Sequence, residues 1–101
     1  MFTGKEDHKV SFKKARVLVR AYQRNKAKKE VTALYYSKDA IGKILRQKGC
    51  IGLRIYYAKK TTGANTLVIT GVDEKGNDII TGYIADIGFP CPPFCPPDKN
   101  L

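Results

Sequence analysis

Apolar residues recur at helical spacing twice in the N-terminal half of the chain. Ser11 is a suitable N-cap for a helix over residues 12–24, and Ser37 is one for a second helix over residues 37–48. The spacing predicts a buried stripe on each helix, formed by Phe12, Ala15, Leu18, Val19 and Tyr22 on the first and by Ala40, Ile41, Ile44 and Leu45 on the second. Gly49 is placed to end the second helix in a left-handed cap. Neither helix can bury its stripe alone, so both are predicted to pack on a sheet.

Strand patterns fill most of the remaining chain. Residues 31–36 (VTALYY) are rich in β-branched and aromatic side chains, which favours a strand. Alternation in residues 50–57 (CIGLRIYY) predicts a strand whose core face is formed by Ile51, Leu53, Ile55 and Tyr57. Residues 66–72 (TLVITGV) are apolar on both faces, which predicts a central strand. The turn signal VDEKGND then joins this strand to a third one over residues 78–85.

These elements predict an α+β fold. We expect two N-terminal helices packed on a three- or four-stranded, mainly antiparallel meander sheet. The whole chain, residues 1–101, is predicted to form a single domain. Residues 1–10 are expected to be a flexible lead-in, and residues 88–101 a tail rich in Pro and Cys without regular structure.

The positive charge of the chain is concentrated in its first half. Residues 1–50 hold fourteen Lys or Arg and four Asp or Glu, whereas residues 51–101 hold five of each kind. Between Lys9 and Lys29 there are nine basic residues and no acidic one. This asymmetry favours a polyanionic partner or an acidic protein surface. A solvated basic helix face is the alternative that gives the same composition.

Four segments together resemble a known family. They are SKDAIGKIL at 37–45, GCIGLRIYY at 49–57, TLVITGVDEKGNDII at 66–80 and PCPPFC at 90–95. In this order and spacing the chain resembles a family of small uncharacterised bacterial proteins that share a G-C-x-G-(I/L)-R-I-Y-Y strand, a G-V-D-x-x-G-N-D hairpin and a terminal P-C-P-P-(F/Y)-C. The resemblance covers roughly residues 30–95 and implies no activity and no catalytic residues. It implies that the terminal cysteine motif is a family feature, whereas the basic first helix lies outside the shared pattern.

The C-terminal segment FPCPPFCPP, residues 89–97, carries the most distinctive chemistry. All five prolines of the chain lie there, together with Cys91 and Cys95. The prolines favour extended, polyproline-like geometry, so a disulfide requires the backbone to turn, and a cis X-Pro bond would help.

Three roles for these cysteines follow from the residue types. Cys91 and Cys95 could form a redox pair or a disulfide. They could instead form half of a metal site that Cys50 and His8 would complete. In the third role they are small apolar fillers in a packed tail. In the packed tail, Phe94 would plug the sheet. Cys50 itself is predicted to be a buried thiol at the start of a strand.

Basic and aromatic residues suggest a second candidate surface. Lys13, Arg16, Arg20 and Arg24 form a stripe on the first helix that could follow phosphates, and Lys26, Lys28 and Lys29 would extend it. Arg54 and Tyr56 are predicted on the sheet face opposite the core, where an exposed tyrosine could stack on a base. The alternative is that a helix or a partner covers this face.

The sequence argues against several other classes of function. The carboxylates Asp73, Glu74 and Asp78 lack the ligand spacing of a calcium loop and are read as part of a hairpin. No Gly-rich phosphate loop follows a strand, and no base is evident beside the cysteines, so we expect no enzymatic activity and no cofactor. No apolar run approaches the roughly 20 residues of a membrane span. MFTGKEDHKV also lacks the apolar region of a secretory signal, which favours a cytoplasmic location without a membrane partner.

These observations together predict a small non-enzymatic interaction module. We expect it to bind a protein partner or a second copy of itself, through an uncovered sheet face or through the tail residues Pro92, Pro93 and Phe94. Nucleic-acid binding through the basic helix is one alternative, and a thiol redox or metal role of Cys91 and Cys95 is the other.

Overall fold

The computed structural model of the chain describes residues 2–24 and 30–101. Its elements are α1 (Phe12–Gln23), β1 (Ala33–Tyr35), α2 (Lys38–Leu45), β2 (Gly52–Lys59), β3 (Asn65–Val72), β4 (Asp78–Ile79) and β5 (Phe89–Cys91). Strands β2, β3 and β4 form an antiparallel sheet with β3 in its centre, and β1 pairs with β5 in a separate antiparallel ribbon. The α+β class and the central strand are therefore confirmed. Neither helix in these residues has the length and apolar character needed to cross a membrane.

The core lies where α2 packs on β3. The Ser37 hydroxyl accepts a hydrogen bond from the Ala40 N–H at 3.0 Å, which caps α2 as the sequence predicts. Ile44 is completely buried against Ile69 and Ala85. Gly71 allows this contact, because a Cβ there would lie 2.9 Å from the Cys50 sulfur and 3.4 Å from the Ile44 side chain.

The end of α2 differs from the prediction in two details. The helix ends at Leu45 with Arg46 as its C-cap, so Gly49, which does have a positive φ of 80°, belongs to the turn that follows. Leu45 was expected in the buried face but is about half exposed. Ile44 in the same turn is the residue that packs on the sheet, and Leu45 lies about 100° further round the helix.

Only part of the predicted core face of β2 is covered. Leu53 packs against the core cluster, but Ile55 and Tyr57 are exposed, which corrects the prediction that both are buried. The eight residues of α2 span only about 12 Å, so the helix covers one end of the sheet face and leaves the other end open.

The third strand is shorter than predicted. Strand β4 holds only Asp78 and Ile79, and the chain returns to β3 at a single bridge between Ile69 and Ala85. The Gln47 side chain explains the interruption. Its Oε1 accepts the Tyr83 N–H at 2.7 Å, so this backbone group bonds to the turn that follows α2 instead of to the sheet.

Helix α1 does not bury its apolar stripe. Ser11 caps the helix, since its hydroxyl accepts the Lys14 N–H at 3.1 Å, but no residue of α1 is buried. Phe12, Leu18 and Tyr22 are more than half exposed, so the prediction that they face the core is wrong. The covered end of the sheet is occupied by α2, and the packing of α1 on the sheet is not confirmed.

Residues 88–101 contain a strand, contrary to the prediction. Phe89 pairs with Tyr35, Pro90 with Leu34 and Cys91 with Ala33. The ribbon is joined to the core through Tyr36, whose hydroxyl donates to the Leu67 carbonyl at 2.9 Å. Gly88 makes room for this side chain, because a Cβ there would lie 2.6 Å from the Tyr36 ring.

The small core gives a matched pair of neighbouring substitutions. Ile44→Ala is expected to lower the free energy of unfolding by about 2–5 kcal/mol, because it leaves a cavity beneath α2. Leu45→Ala removes a similar volume from an exposed position and is expected to change it by less than about 1 kcal/mol. Urea denaturation monitored by circular dichroism measures the free energy of unfolding of both variants. Equal losses for the two variants would contradict the position of the core.

Candidate binding surfaces

The tail is held against β1 by backbone hydrogen bonds. The Thr32 N–H donates to the Cys91 carbonyl at 2.8 Å, and the Thr32 hydroxyl donates to the same oxygen at 3.2 Å. These bonds extend the pairing of β1 with β5 by one residue and hold Cys91 in a buried position. The tail therefore has a defined path along β1.

A disulfide between Cys91 and Cys95 closes a loop directly after β5. The Cα atoms of the two cysteines are 4.7 Å apart, whereas four extended residues would span about 13 Å. The Phe94 N–H donates to the Pro90 carbonyl at 2.8 Å and the Cys95 N–H to the Pro93 carbonyl at 3.0 Å. The chain therefore turns here, and the predicted polyproline-like geometry is wrong for these residues. The Cys91–Pro92 and Pro92–Pro93 peptide bonds are cis.

The turn places three aromatic rings in a row. Tyr35 and Phe89 are register partners with ring centroids 5.8 Å apart, and Phe94 lies 5.2 Å beyond Phe89. All three side chains are largely exposed, at 58%, 55% and 60% of their areas. Phe94 is therefore a surface residue in this row. The packed-tail alternative, in which Phe94 plugs the main sheet, is wrong on this point. We call these three residues the aromatic row.

A groove runs beside the aromatic row. It has a volume of about 600 Å³, and its walls include Leu34, the disulfide and Pro96. The residues that line the groove are fixed by the disulfide and by the two-stranded ribbon, so the groove is formed in the absence of a partner. Preformed apolar grooves of this kind suit the insertion of an apolar side chain.

Arg54, Tyr56 and Asp78 form a polar cluster on the opposite face of the main sheet. Arg54 Nη1 donates to Asp78 Oδ1 at 2.6 Å and to the Gly76 carbonyl at 3.1 Å. The Tyr56 hydroxyl donates to Asp78 Oδ2. The structure thus places Arg54 and Tyr56 together on the non-core face, as predicted. Asp78, which was read only as a hairpin residue, joins them from β4.

The contacts of this cluster shift the pKa values of its members. The hydrogen bond from Tyr56, followed by that from Arg54, lowers the pKa of Asp78. The bond to Asp78 in turn raises the pKa of Tyr56 and that of Arg54. Asp78 therefore stays ionised and neutralises the charge of Arg54. A polyanion would meet a carboxylate here, which argues against phosphate binding at this cluster.

The basic stripe of α1 is placed for binding. Lys13, Arg16, Arg20 and Arg24 are all exposed, and the three arginines line one shallow groove with Val17. Lys26, Lys28 and Lys29, which were predicted to extend the stripe, lie outside the described residues. The stripe itself thus has the accessibility that polyanion binding requires.

The described residues do not assemble the predicted metal set. They contain no group of three His, Cys, Asp or Glu side chains placed to hold a metal ion. Cys50 is a free, half-buried thiol beside Gly71, and its Sγ donates to the Gly52 carbonyl at 3.2 Å. His8 lies in the lead-in beside the start of β2, among Phe2 and Gly4. The structure thus joins Cys91 to Cys95 and brings neither Cys50 nor His8 to them.

Two residues of the aromatic row were missed by the sequence reasoning. Tyr35 was assigned to a strand and Phe89 to an irregular tail, with no sign that they meet. The only available signal was the alternation in residues 31–36, which puts Ala33 and Tyr35 on one side of a strand that needs a partner.

Comparison of the chain with protein-family models, with curated proteins and with solved structures gives no match.

The polar cluster predicts a loss of stability in acid. The pKa of Asp78 is lower in the folded protein than its ordinary value of 3.8. The ionised carboxylate therefore stabilises the fold at pH values above 3.8, and this contribution disappears as the pH falls through the lowered pKa. Asp78→Asn should therefore have a lower melting temperature than the parent protein at pH 7, and the difference should shrink below about pH 4. Thermal melts from pH 2 to pH 8 test this. A difference that stays constant with pH would show that the carboxylate charge is not the cause.

Proposed function

We propose that the protein is a small non-enzymatic module that binds another protein through the aromatic row. The observation that carries the proposal is the exposure of Tyr35, Phe89 and Phe94 as one contiguous surface. Exposed apolar patches of neighbouring aromatic residues mark interaction sites more often than scattered apolar residues do. Aromatic side chains also supply much of the binding energy at protein interfaces.

Preorganisation of this surface supports the proposal. Tyr35 and Phe89 are held by the pairing of β1 with β5, and Phe94 by the disulfide loop. A partner therefore loses little affinity to the ordering of this surface on binding. Pro92 and Pro93 act in this proposal by shaping the loop, and Phe94 makes the contact.

We propose that the resemblance to small bacterial proteins with a terminal P-C-P-P-(F/Y)-C motif reflects the same surface. In this chain the two cysteines of the motif close the loop, and its aromatic position is Phe94 in the aromatic row. A shared motif that builds a recognition surface would keep these positions together.

The compartment and the thiol chemistry belong to the proposal as well. The location we propose is the cytoplasm, where stable disulfides are rare. There, thiol–disulfide exchange with two small cellular thiols would reduce the Cys91–Cys95 bond and join those two thiols in a disulfide, and the reverse exchange would close it again. The position of Phe94 would change with the bond. Alkylation of free thiols at the moment of lysis, followed by peptide mass analysis, gives the fraction of the closed form. A pair that is fully closed in growing cells would contradict the cytoplasmic location.

Loss of the aromatic row should abolish partner capture. Phe94→Ser is expected to remove at least about 90% of the captured partner, because a central aromatic contact contributes about 2 kcal/mol or more to binding. Affinity capture from cells that express the natural protein, with quantitative mass spectrometry, measures the loss. Point variants are preferable to deletion of residues 88–101, since that deletion would remove β5 and leave β1 without its partner.

Phe12→Ser is the matched control for this experiment. Phe12 lies on α1 and is exposed to nearly the same degree as Phe94, at 59% against 60%. This variant is expected to retain the partner. Equal capture by Phe94→Ser and by the unchanged protein, with both folded, would contradict the proposed function.

A second candidate function is nucleic-acid binding through α1. The specific observation that favours it is the shared groove of Arg16, Arg20 and Arg24 on a helix without acidic residues. Three guanidinium groups one turn apart can contact successive phosphates of a single strand. The exposed Tyr22 on the same helix offers a ring for base stacking.

Salt dependence tests this second candidate. Replacement of Arg16, Arg20 and Arg24 by Gln should lower the slope of log K against log salt by about 2 for a single-stranded oligonucleotide. The control replaces Lys38, Lys59 and Lys99 by Gln, which removes the same charge elsewhere. An unchanged slope in the arginine variant, or no binding by the unchanged protein at low salt, would eliminate this function.

A further inference from the structure

Strand β2 lies at the edge of the main sheet, and its outer side is unpaired. The hydrogen bonds of β3 show which backbone groups are free. The Ile69 N–H and C=O both bond to Ala85, on the side of β3 away from β2. Ile55, the register partner of Ile69, therefore forms a non-hydrogen-bonded pair with it and directs its own N–H and C=O away from the sheet.

Every second residue of β2 directs its backbone N–H and C=O away from the sheet, as Ile55 does. Leu53 and Tyr57 also present their N–H and C=O to the outer edge. Among residues 2–24 and 30–101, no hydrogen bond to these outward backbone groups is formed. The lead-in approaches β2 closely only at Ile51, and a pocket of about 490 Å³ separates it from Leu53 and Arg54. These two residues are therefore unpaired on their outer side, and the second half of the strand is fully open.

The side chains along this open half are also uncovered. Ile55, Tyr56 and Tyr57 have exposed fractions of 53%, 42% and 96%. Three consecutive exposed apolar or aromatic residues on an eight-residue edge strand without proline are unusual, since soluble proteins normally protect such edges. The strand therefore has the features of one that pairs with another chain.

We propose that β2 pairs with β2 of a second copy of this chain, antiparallel and centred on Tyr56. This register brings Ile55 opposite Tyr57 of the second copy on one face, and Tyr56 opposite Tyr56 of the second copy on the other. Pairs of aromatic and β-branched residues across strands are stabilising. The dimer has a continuous six-stranded sheet built from two three-stranded halves.

The charges of β2 favour this register and are compatible with a second copy as the partner. In this pairing Arg54 faces Ala58 and Lys59 faces Leu53 of the second copy, so no basic residue opposes another. A register centred on Arg54 would place two arginines directly opposite each other, which is destabilising. Residues 51–101 also carry no net charge, so the halves that meet do not repel despite the overall charge of +10. The proposal uses a different surface from the aromatic row and does not depend on the proposed function.

A proline at position 55 is expected to prevent pairing at the edge of the sheet without preventing folding of the monomer. The Ile55 N–H points to the open edge, so Ile55→Pro removes no hydrogen bond of the monomer, whereas it blocks pairing with a second strand. Ile55→Pro is expected to raise the dimer dissociation constant at least about tenfold, since the symmetric pairing loses two hydrogen bonds, one donated by the Ile55 N–H of each copy. Ile55→Val keeps the N–H and should retain the dimer. Sedimentation equilibrium of the full chain, with circular dichroism for folding, measures all three proteins.

The proposal would be overturned if the unchanged protein stayed monomeric at several hundred micromolar. A folded Ile55→Pro variant that dimerises as the unchanged protein does would also overturn it. If Ile55→Pro fails to fold, Tyr57→Lys provides the test, because this side chain makes no contact that the monomer needs. Tyr57→Lys is expected to weaken the dimer, and an unchanged dissociation constant would overturn the pairing. Phe94→Ser should leave the dimer intact, which separates this test from that of the aromatic row.

Cross-linking tests the register directly. In a Cys50→Ser background, Tyr56→Cys should give a covalent dimer on mild oxidation, because residues on the two-fold axis at a non-hydrogen-bonded pair have Cα atoms about 4.5 Å apart. Ile55→Cys in the same background would face Tyr57 and should not cross-link. A covalent dimer formed by Ile55→Cys but not by Tyr56→Cys would overturn the proposed pairing.

Discussion

The contact of Ile44 with Ile69 and Ala85 is the interaction on which the other parts of the molecule depend. It joins α2 to the central strand, and it also fixes the return of the chain at Ala85, from which the tail leads to β5. The close approach is possible because position 71 has no side chain. Among the other apolar residues of the described chain only Val72 and Cys91 are buried, so most of the apolar surface lies outside this contact.

The open surfaces follow from the small size of this core. Because α2 covers only one end of the sheet, Ile55 and Tyr57 remain exposed at the other end. Helix α1 does not cover them, and its own apolar stripe stays at the surface. The aromatic row is linked to the same core through the Tyr36 hydroxyl bond to Leu67. This uncovered apolar surface is the basis of our proposal that the domain associates with other chains.

Local signals in the sequence were sufficient for the elements near the core. Ser37 and the spacing of Ile41 and Ile44 predicted α2, and the two apolar faces of residues 66–72 predicted the central strand. Asp73 and Gly76 predicted the hairpin turn, where Asp73 accepts two backbone N–H groups and Gly76 has a φ of 86°.

The surfaces proposed for function could not be predicted in this way, since they depend on contacts between distant parts of the chain. The pairing of β1 with β5 joins Ala33 to Cys91, and Pro90 within β5 gives no local sign of a strand. The contact between Arg54 and Asp78 spans 24 positions. The stripe on α1 indicated a side that prefers burial but not which element would cover it.

The aromatic row requires a closed loop, so the oxidation state of the three cysteines is the decisive measurement. Protein purified without reductant, alkylated and digested, should yield a peptide in which Cys91 and Cys95 are joined, while Cys50 carries the alkyl group. In the same sample, two-dimensional NMR spectra with and without reductant should show changes concentrated at Tyr35, Phe89 and Phe94. Three alkylated cysteines, or spectra of these aromatic residues that do not respond to reductant, would contradict the account.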